Sequence, residues 1–82
     1  MADWFVYLLV CGDGSLYAGS TNDLAHRVAT HTAGKGGKYT RAHLPIKLAY
    51  TEQLSSKSAA LKREFEIKRL TRVEKLLLIN GR

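Results

Sequence analysis

The hydrophobic pattern opens with a run from Trp4 to Cys11 that is apolar at every position and rich in β-branched and aromatic residues. Such an uninterrupted run predicts a strand covered on both faces, and therefore the central strand of a sheet. Gly12-Asp13-Gly14 is a turn signal, and Ser15 to Gly19 follows as a short second strand. We expect the two strands to pair as a hairpin, which places Tyr7 and Tyr17 in the same small sheet.

After the hairpin, the spacing of apolar residues becomes that of a helix. A helix is predicted from Asp23 to Thr32, with Thr21 or Asn22 as its cap. Its inner stripe consists of Leu24, Val28 and His31, with Arg27 beside them. The segment Ala33 to Pro45 has the composition of a loop. Ile46 to Glu52 alternates apolar and polar residues, which predicts a third strand with one exposed side.

Two further helices are predicted in the C-terminal part. Ser55 or Ser56 can cap a helix that runs to about Leu70, and Thr71 with Glu74 forms a capping box for a last helix that ends near Ile79. The elements give an α+β fold in the order β-β-α-β-α-α, a small three-stranded antiparallel sheet flanked by helices. Because no repeat, linker or low-complexity tract interrupts them, residues 1–82 are expected to form a single domain.

The first of these two helices carries a carboxylate that faces inward. On a helical wheel, with about 100° between residues, the apolar arc contains Ala60, Leu61, Phe65 and Ile67, and the polar arc contains Lys62, Arg63, Glu66 and Arg69. Glu64 lies near the middle of the apolar arc, with Lys68 next to it. A buried carboxylate needs a compensating cation, which here is a metal ion, an arginine or Lys68. The alternative to a functional role is an ordinary helix pair between Glu64 and Lys68, worth a few tenths of a kcal/mol.

Charge is distributed unevenly along a chain whose net charge is +6. The first 26 residues contain three aspartates and no Lys or Arg, so all 13 basic residues follow them. This asymmetry predicts one basic face for a polyanion, for which nucleic acid is the usual candidate, although a solubilising surface has the same composition. The loop composition of 33–45, with Lys35, Lys38 and Arg41, makes that segment the best candidate for contact with phosphate.

Other classes of protein are excluded by composition. The apolar run from Trp4 to Cys11 is much shorter than the roughly 20 residues of a membrane-spanning helix, and Asp3 lies where a signal peptide would carry positive charge. Cys11 is the only cysteine, so neither an internal disulfide nor a Cys/His zinc cluster is expected. We therefore expect a cytoplasmic protein with no membrane association.

Five side chains could share one chemical task. Arg27 and His31 are spaced i, i+4, so they lie on one helix face, and a guanidinium fork suits phosphate oxygens. Taken singly, Arg27 could equally be a surface residue, His31 a structural histidine, and Tyr7 and Tyr17 core residues. Their convergence with an inward Glu64 in one small basic fold favours a catalytic site.

These residues resemble the motifs of the GIY-YIG nuclease superfamily, and in particular its small stand-alone, UPF0213-like members. The first half-motif corresponds to Phe5-Val6-Tyr7 and the second to Tyr17-Ala18-Gly19. The segment Asp23 to His31 is similar to the helix with the family's catalytic arginine and a nearby histidine. Ala60 to Lys68 is similar to the helix that supplies its metal-binding glutamate. The resemblance covers essentially the whole chain, and the order and spacing of four elements make it specific.

The sequence departs from the family pattern at backbone and packing positions. Phe5 and Val6 stand in place of the glycine and isoleucine of the first half-motif, and Ala18 stands in place of the isoleucine of the second. Both tyrosines and Gly19 are kept, so the chemical groups survive. No DNA-recognition domain like those of the family's homing and restriction enzymes is appended, so we do not expect sequence-specific cutting.

The resemblance implies phosphodiester hydrolysis with one divalent ion, Mg²⁺ or Mn²⁺, bound by Glu64. Arg27 would grip a non-bridging phosphate oxygen. Tyr7 is the first choice for the general base, with Tyr17 hydrogen-bonding nearby and His31 accepting the phenol proton. Because a phenol has a pKa of about 10, positive charge from Arg27 and the metal would have to lower that value.

The expected function is a metal-dependent DNA endonuclease, non-specific or structure-selective, in a setting of DNA repair or recombination. Lys35, Lys38, Arg41 and Lys68 are the candidates for binding the DNA backbone. Two alternatives stay open: a non-catalytic nucleic-acid-binding module with the same fold, and a subunit that needs a partner protein to present its substrate. No pattern in the chain indicates an oligomeric state.

Overall fold

The computed structural model describes residues 3–81, which form a three-stranded sheet and four helices. The strand order is β2-β1-β3 with both pairs antiparallel, so the apolar strand is central, as predicted. No helix within the described range is long and apolar enough to cross a membrane. The elements are β1 (Trp4–Val10), β2 (Leu16–Thr21), α1 (Leu24–Thr32), α2 (Lys38–Ala42), β3 (Lys47–Leu54), α3 (Lys57–Lys68) and α4 (Arg72–Asn80).

Alternate residues of β1 belong to two separate cores, as the pleat of a strand dictates. Val6 and Leu8 pack on one face with Ala18 of β2 and with residues of α3, and side chains of α4 complete that core. Tyr7 and Leu9 pack on the other face, where Leu24 of α1 covers them. The sheet therefore lies between α3 and α4 on one side and α1 on the other. β2 is left as an edge strand that both layers can reach.

The caps of the helices were predicted correctly in two cases and wrongly in one. Ser56 caps α3, and the predicted capping box begins α4. For α1, the expected caps Thr21 and Asn22 are wrong, because Asp23 is the cap and its carboxylate accepts the N–H of His26 at 3.2 Å. The hydroxyl of Thr21 instead accepts the N–H of Asp23 at 3.0 Å, which fixes the entry to the helix.

We had predicted that the segment 33–45 is a loop. This is wrong in part, because the segment contains the short helix α2. The observed order is accordingly β-β-α-α-β-α-α. A helix of Lys38–Ala42 is too short to be stable alone, so tertiary contacts must hold it. Its Thr40 is 1% exposed and reaches the ring of His31. Gly34, with φ of +80°, lets the chain turn between the two helices.

Several element ends differ from prediction. β2 continues past Gly19 to Thr21, β3 spans Lys47–Leu54 instead of Ile46–Glu52, and α3 ends at Lys68 before Leu70. Both strands extend as far as they can pair with β1. Pairing partners, which the local sequence does not contain, thus decide where the strands end.

The inner face of α3 is rotated from its predicted position. Ala60 and Ile67 are fully buried, whereas Leu61 and Phe65, expected on the inner arc, are 49% and 61% exposed. Arg63, expected on the outer arc, is half-buried. The small side chain of Ala60 lies in the core, where α3 packs against the sheet. Apolar residues on two sides of this helix made its buried face ambiguous in the sequence.

The half-buried guanidinium of Arg63 is satisfied by a carboxylate on β3. Its Nε and Nη2 donate to the two oxygens of Glu52 at 2.9 and 2.8 Å, and the Tyr50 hydroxyl donates to the same carboxylate at 2.6 Å. The hydrogen bonds from Arg63 are the main reason that the pKa of Glu52 is lowered. A bidentate pair of this kind ties α3 to the sheet with a defined orientation.

We predict that Arg63→Ala lowers the free energy of unfolding by about 1–3 kcal/mol, because it leaves the Glu52 carboxylate without its main partner. Urea denaturation followed by circular dichroism measures this change. Lys62→Ala, an exposed position on the same helix, is the matched control and should stay within about 0.5 kcal/mol of the parent. Equal stability of the two variants would contradict an anchoring role for the pair.

Candidate active site

The phenol of Tyr7 lies against the backbone of the neighbouring strand. Tyr7 of β1 is opposite Gly19 of β2 in the antiparallel ladder, and it is 1% exposed. A Cβ atom on residue 19 would overlap the Tyr7 hydroxyl. Only glycine therefore allows the phenol to lie over β2, which gives a physical reason for the glycine of the second half-motif.

His31 joins this phenol to α2. Its Nε2 is 3.3 Å from the Tyr7 hydroxyl, and its Nδ1 is 2.9 Å from Oγ1 of Thr40. The Thr40 hydroxyl donates to the carbonyl of Gly37 at 3.4 Å, so it is left to accept the Nδ1 proton. We accordingly assign the tautomer with hydrogen on Nδ1, in which Nε2 accepts from Tyr7. Gly36 lies so close to the imidazole that a Cβ there would overlap the ring.

Burial keeps both partners of this hydrogen bond neutral. Desolvation, followed by the charge of Arg27, lowers the pKa of His31 below its ordinary value of 6.5. Desolvation also raises the pKa of Tyr7 above 10.0, and the nearby guanidinium of Arg27 offsets this effect only in part. Positive charge from Arg27 was expected to lower the phenol pKa, but burial outweighs it. The resting pair is therefore a phenol that donates to an uncharged imidazole.

Glu64 approaches β2 from the opposite layer. Its Oε1 accepts the hydroxyl of Ser20 at 2.5 Å, and its Oε2 is 2.7 Å from Nζ of Lys68. The hydrogen bond with Glu64 is the largest cause of the raised pKa of Lys68. Ser20 and Gly19 are consecutive, so they face opposite sides of the edge strand. The tyrosine side and the glutamate side of the site meet around this edge, and the charge of Glu64 adds to the raised pKa of Tyr7.

Glu64 suits a metal site with a single protein carboxylate. Between residues 3 and 81, no group of three or more His, Cys, Asp and Glu side chains is placed to hold a metal ion. Mg²⁺ commonly binds proteins through one or two carboxylates and keeps several waters. The Glu64 side chain is 17% exposed, and each of its oxygens retains acceptor capacity beyond the bond it makes. The donor set thus fits such an ion, for which Lys68 is a competing cation.

Tyr17 connects the buried site to the surface through a series of rings. Its ring centroid is 5.5 Å from that of His31 and 6.0 Å from that of Tyr39, with Tyr17 and Tyr39 within 15° of parallel. Tyr39 in turn stacks on His43 at 4.2 Å. These contacts hold Tyr17 at the mouth of the site, where it is only partly buried.

The structure brings together part of the set predicted from the sequence. Tyr7, Tyr17, Arg27 and His31 cluster on the α1 side, and Glu64 with Lys68 adjoins them across β2. Lys35, Lys38 and Arg41 are exposed on and before α2, and none makes an ion pair with another residue in the described part of the chain. They are available to an external anion, and within residues 3–81 their side chains make no hydrogen bond or ion pair with a catalytic candidate.

Two polar contacts of the site were missed. Ser20, which bonds Glu64, belongs to the predicted hairpin region but lies beyond the strand end we had set. Thr40, which bonds His31, was assigned to a loop. A strand carried on to Thr21 would have placed Ser20 on the α3 face by alternation, whereas no local signal identifies Thr40.

We predict that neutral His31 makes stability depend on pH. Its pKa is lower in the folded protein than in the unfolded chain, so the stabilisation is present above about pH 6.5 and is lost as the pH falls below that value. One proton taken up on unfolding gives a slope of at most about 1.4 kcal/mol per pH unit. Urea denaturation of the parent and His31→Gln between pH 7.5 and 5.5 isolates this term, and equal slopes would contradict it.

Comparison with known proteins places the chain in a family. Residues 3–76 match the model of the GIY-YIG catalytic domain. A UPF0213 protein of Staphylococcus haemolyticus is 50% identical over 82 residues, covering all of both chains, and one of Natronomonas pharaonis is 51% identical over 78 residues, covering 95% of this chain and 92% of its own.

Solved structures agree with that placement. The solution NMR structure of a UPF0213 protein from Bacillus halodurans has a TM-score of 0.63 and 41% identity, covering 98% of this chain and 85% of its own. A protein from E. faecalis, also solved by NMR, has a TM-score of 0.61 and 38% identity, covering 92% and 80%. The α+β fold and the motifs around Tyr7 and Gly19 are thereby accounted for together: the chain belongs to the GIY-YIG family, among its small UPF0213 proteins.

Proposed function

We propose that this protein is a metal-dependent DNA endonuclease that hydrolyses phosphodiester bonds without sequence specificity. The observation that carries the proposal is the hydrogen bond from the Tyr7 phenol to Nε2 of a neutral, buried His31, with Arg27 beside it and Glu64 across the strand. Family membership supports the nuclease class. Titratable groups with perturbed pKa values that lie together beside an arginine and a carboxylate are a feature of catalytic sites.

The first task is to activate water. Tyr7 is protonated at neutral pH because burial raises its pKa, so the phenol cannot act as a base until it loses its own proton. His31 Nε2 is the acceptor within reach. As the Tyr7 oxygen takes a proton from the attacking water, the phenol proton passes to Nε2, and the net transfer is from water to His31. Thr40 holds the imidazole in the tautomer that this relay requires.

The second task is to neutralise the phosphate. Arg27 lies beside Tyr7 with an exposed side chain, so its guanidinium can donate hydrogen bonds to two phosphate oxygens while the water attacks. Mg²⁺ or Mn²⁺ bound at Glu64 would supply further positive charge for the departing oxygen. Nζ of Lys68, at 2.7 Å from Oε2 of Glu64, places a compensating positive charge beside that partly buried carboxylate.

The third element of the proposal concerns the substrate. The exposed cations Lys35, Lys38 and Arg41 have no partner within the described range and would contact backbone phosphates on either side of the cut. Backbone contacts position a duplex but carry no sequence information. We therefore propose a non-specific or structure-selective activity, for which DNA repair or recombination is the natural setting.

One contact favours a second function. Glu64 already accepts from both Ser20 and Lys68, as a satisfied structural carboxylate would. In a non-catalytic nucleic-acid-binding module with this fold, Glu64 would keep these two partners and bind no metal ion. Binding would then survive chelation of divalent ions and fall steeply with salt, and no nicking would occur at any metal concentration.

We predict that Glu64→Ala and Arg27→Ala each reduce nicking by 10²-fold or more, because each removes charge stabilisation from the transition state. The assay uses supercoiled and branched DNA with Mg²⁺ or Mn²⁺. Lys62→Ala, an exposed basic position on α3 away from the site, should cut at the parental rate. Metal-dependent cleavage that persists in Glu64→Ala would reject the metal assignment, and equal DNA binding without cutting by all proteins would favour the binding module.

We also predict that Tyr7→Phe and His31→Gln each lower the cleavage rate by about 10²–10⁴-fold, the usual contribution of a general base. The parental rate should fall as the pH drops below that at which His31 becomes protonated, because imidazolium cannot accept the phenol proton. Single-turnover rates between pH 5 and 9 test this. An unchanged acid limb in His31→Gln would show that another group controls it.

A further inference from the structure

A cleft adjoins the candidate site at Tyr17 and Lys68. It has a volume of about 420 Å³, within the range of about 300–1,000 Å³ typical of ligand sites. Its walls come from β2, α2, α3 and α4, and they are formed by Leu16, Tyr17, Ala18, Tyr39, Lys68 and Lys75. Tyr17 and Lys68 also belong to the site described above, so the cleft continues directly from it.

The charged side chains that line this cleft are both cationic. Lys75 has no carboxylate within 4 Å in the part of the chain that the structure describes, and Lys68 pairs with Glu64 alone. No acidic side chain contributes to the walls. Two ammonium groups from different helices therefore face one concave space, which favours an anion there.

The opposite wall is aromatic and held in place. Tyr39 is 42% exposed although its ring stacks on His43, and its ring is nearly parallel to that of Tyr17. Its hydroxyl donates to Ser15 Oγ at 2.5 Å. Ser15 donates in turn to Asp13 at 2.6 Å. An aromatic surface beside a cationic one is the combination that binds single-stranded nucleic acid, because rings contact bases while ammonium groups contact the backbone.

We propose that this cleft holds an unpaired nucleotide next to the scissile phosphate, with its base against Tyr39 and its phosphate at Lys75 and Lys68. The inference rests on the proposed function, which it narrows: the substrate strand must carry an unpaired nucleotide at the cut, as in a flap, gap or fork. In intact duplex the bases are stacked on their neighbours and cannot reach the tyrosine wall. Lys68 connects the candidate active site to the cleft, since it pairs with Glu64 and also lines the cleft.

The first test is binding without chemistry. Fluorescence anisotropy in EDTA compares a labelled single-stranded oligonucleotide, chosen without self-complementarity, with the blunt duplex formed by the same strand and its complement. Tyr39→Ala and Lys75→Gln should each weaken single-strand binding about tenfold or more and duplex binding less than threefold. Lys62→Gln removes the same charge as Lys75→Gln from an exposed position outside the cleft and should not discriminate between the two DNAs. Tyr39→Phe keeps the ring and should retain most of the single-strand affinity.

The outcomes separate this inference from the proposed activity. If Lys75→Gln weakens both DNAs equally, or no more than Lys62→Gln does, the cleft is not a nucleotide site, whether or not the parent cuts DNA. If the parent binds single strands through Tyr39 and Lys75 but cuts nothing with Mg²⁺ or Mn²⁺, the cleft stands and the nuclease assignment falls. If both the nucleotide site and the nuclease activity are correct, flapped DNA is cut at least about tenfold faster than duplex, and Lys75→Gln abolishes that preference. Lys75→Gln decides the matter even if Tyr39→Ala fails to fold.

Discussion

The contact between the Tyr7 phenol and the backbone of Gly19 is the constraint on which the rest of the site depends. Because residue 19 has no side chain, a full aromatic ring is accommodated over the edge strand and is almost completely buried. Burial raises the pKa of the phenol and keeps it a hydrogen-bond donor. A phenol in that place needs an acceptor, and His31 supplies it from α1. The geometry of one strand pair thus sets the protonation state of the candidate base.

His31 then organises the chain beyond α1. An imidazole buried between a phenol and a hydroxyl has both nitrogens satisfied, which removes the main cost of burying a polar ring. The hydroxyl belongs to Thr40, so the same bond that fixes the histidine tautomer holds the short helix α2 in place. α2 carries Tyr39, which belongs to the series of ring contacts that runs from His31 through Tyr17 to His43. Site and cleft are therefore parts of one packed unit.

What the sequence predicted correctly was specified locally. The apolar run of β1, the turn after it and the capping box at Thr71 contain their own signals, and the α+β sheet with its central strand follows from them. Two of its errors, by contrast, depend on partners that lie in other elements. α2 exists because Thr40 bonds His31, and the rotation of α3 is fixed by Glu52, which binds Arg63 from another element. Neither partner is visible within a window of local sequence.

The candidate site shows the same division. Tyr7, Arg27 and His31 could be identified because strand alternation and i, i+4 spacing place them on known faces. Glu64 was expected at the centre of a buried arc, but it lies at the flank of the inner face, partly open to solvent. This position serves the proposed chemistry better than full burial would. Proton transfer between Tyr7 and His31 requires fixed geometry, which the packed side provides. A metal ion that binds Glu64 would need access from solvent, which the partial exposure of Glu64 gives. It would also have to displace the cation already paired with the carboxylate, which is the half-exposed Lys68.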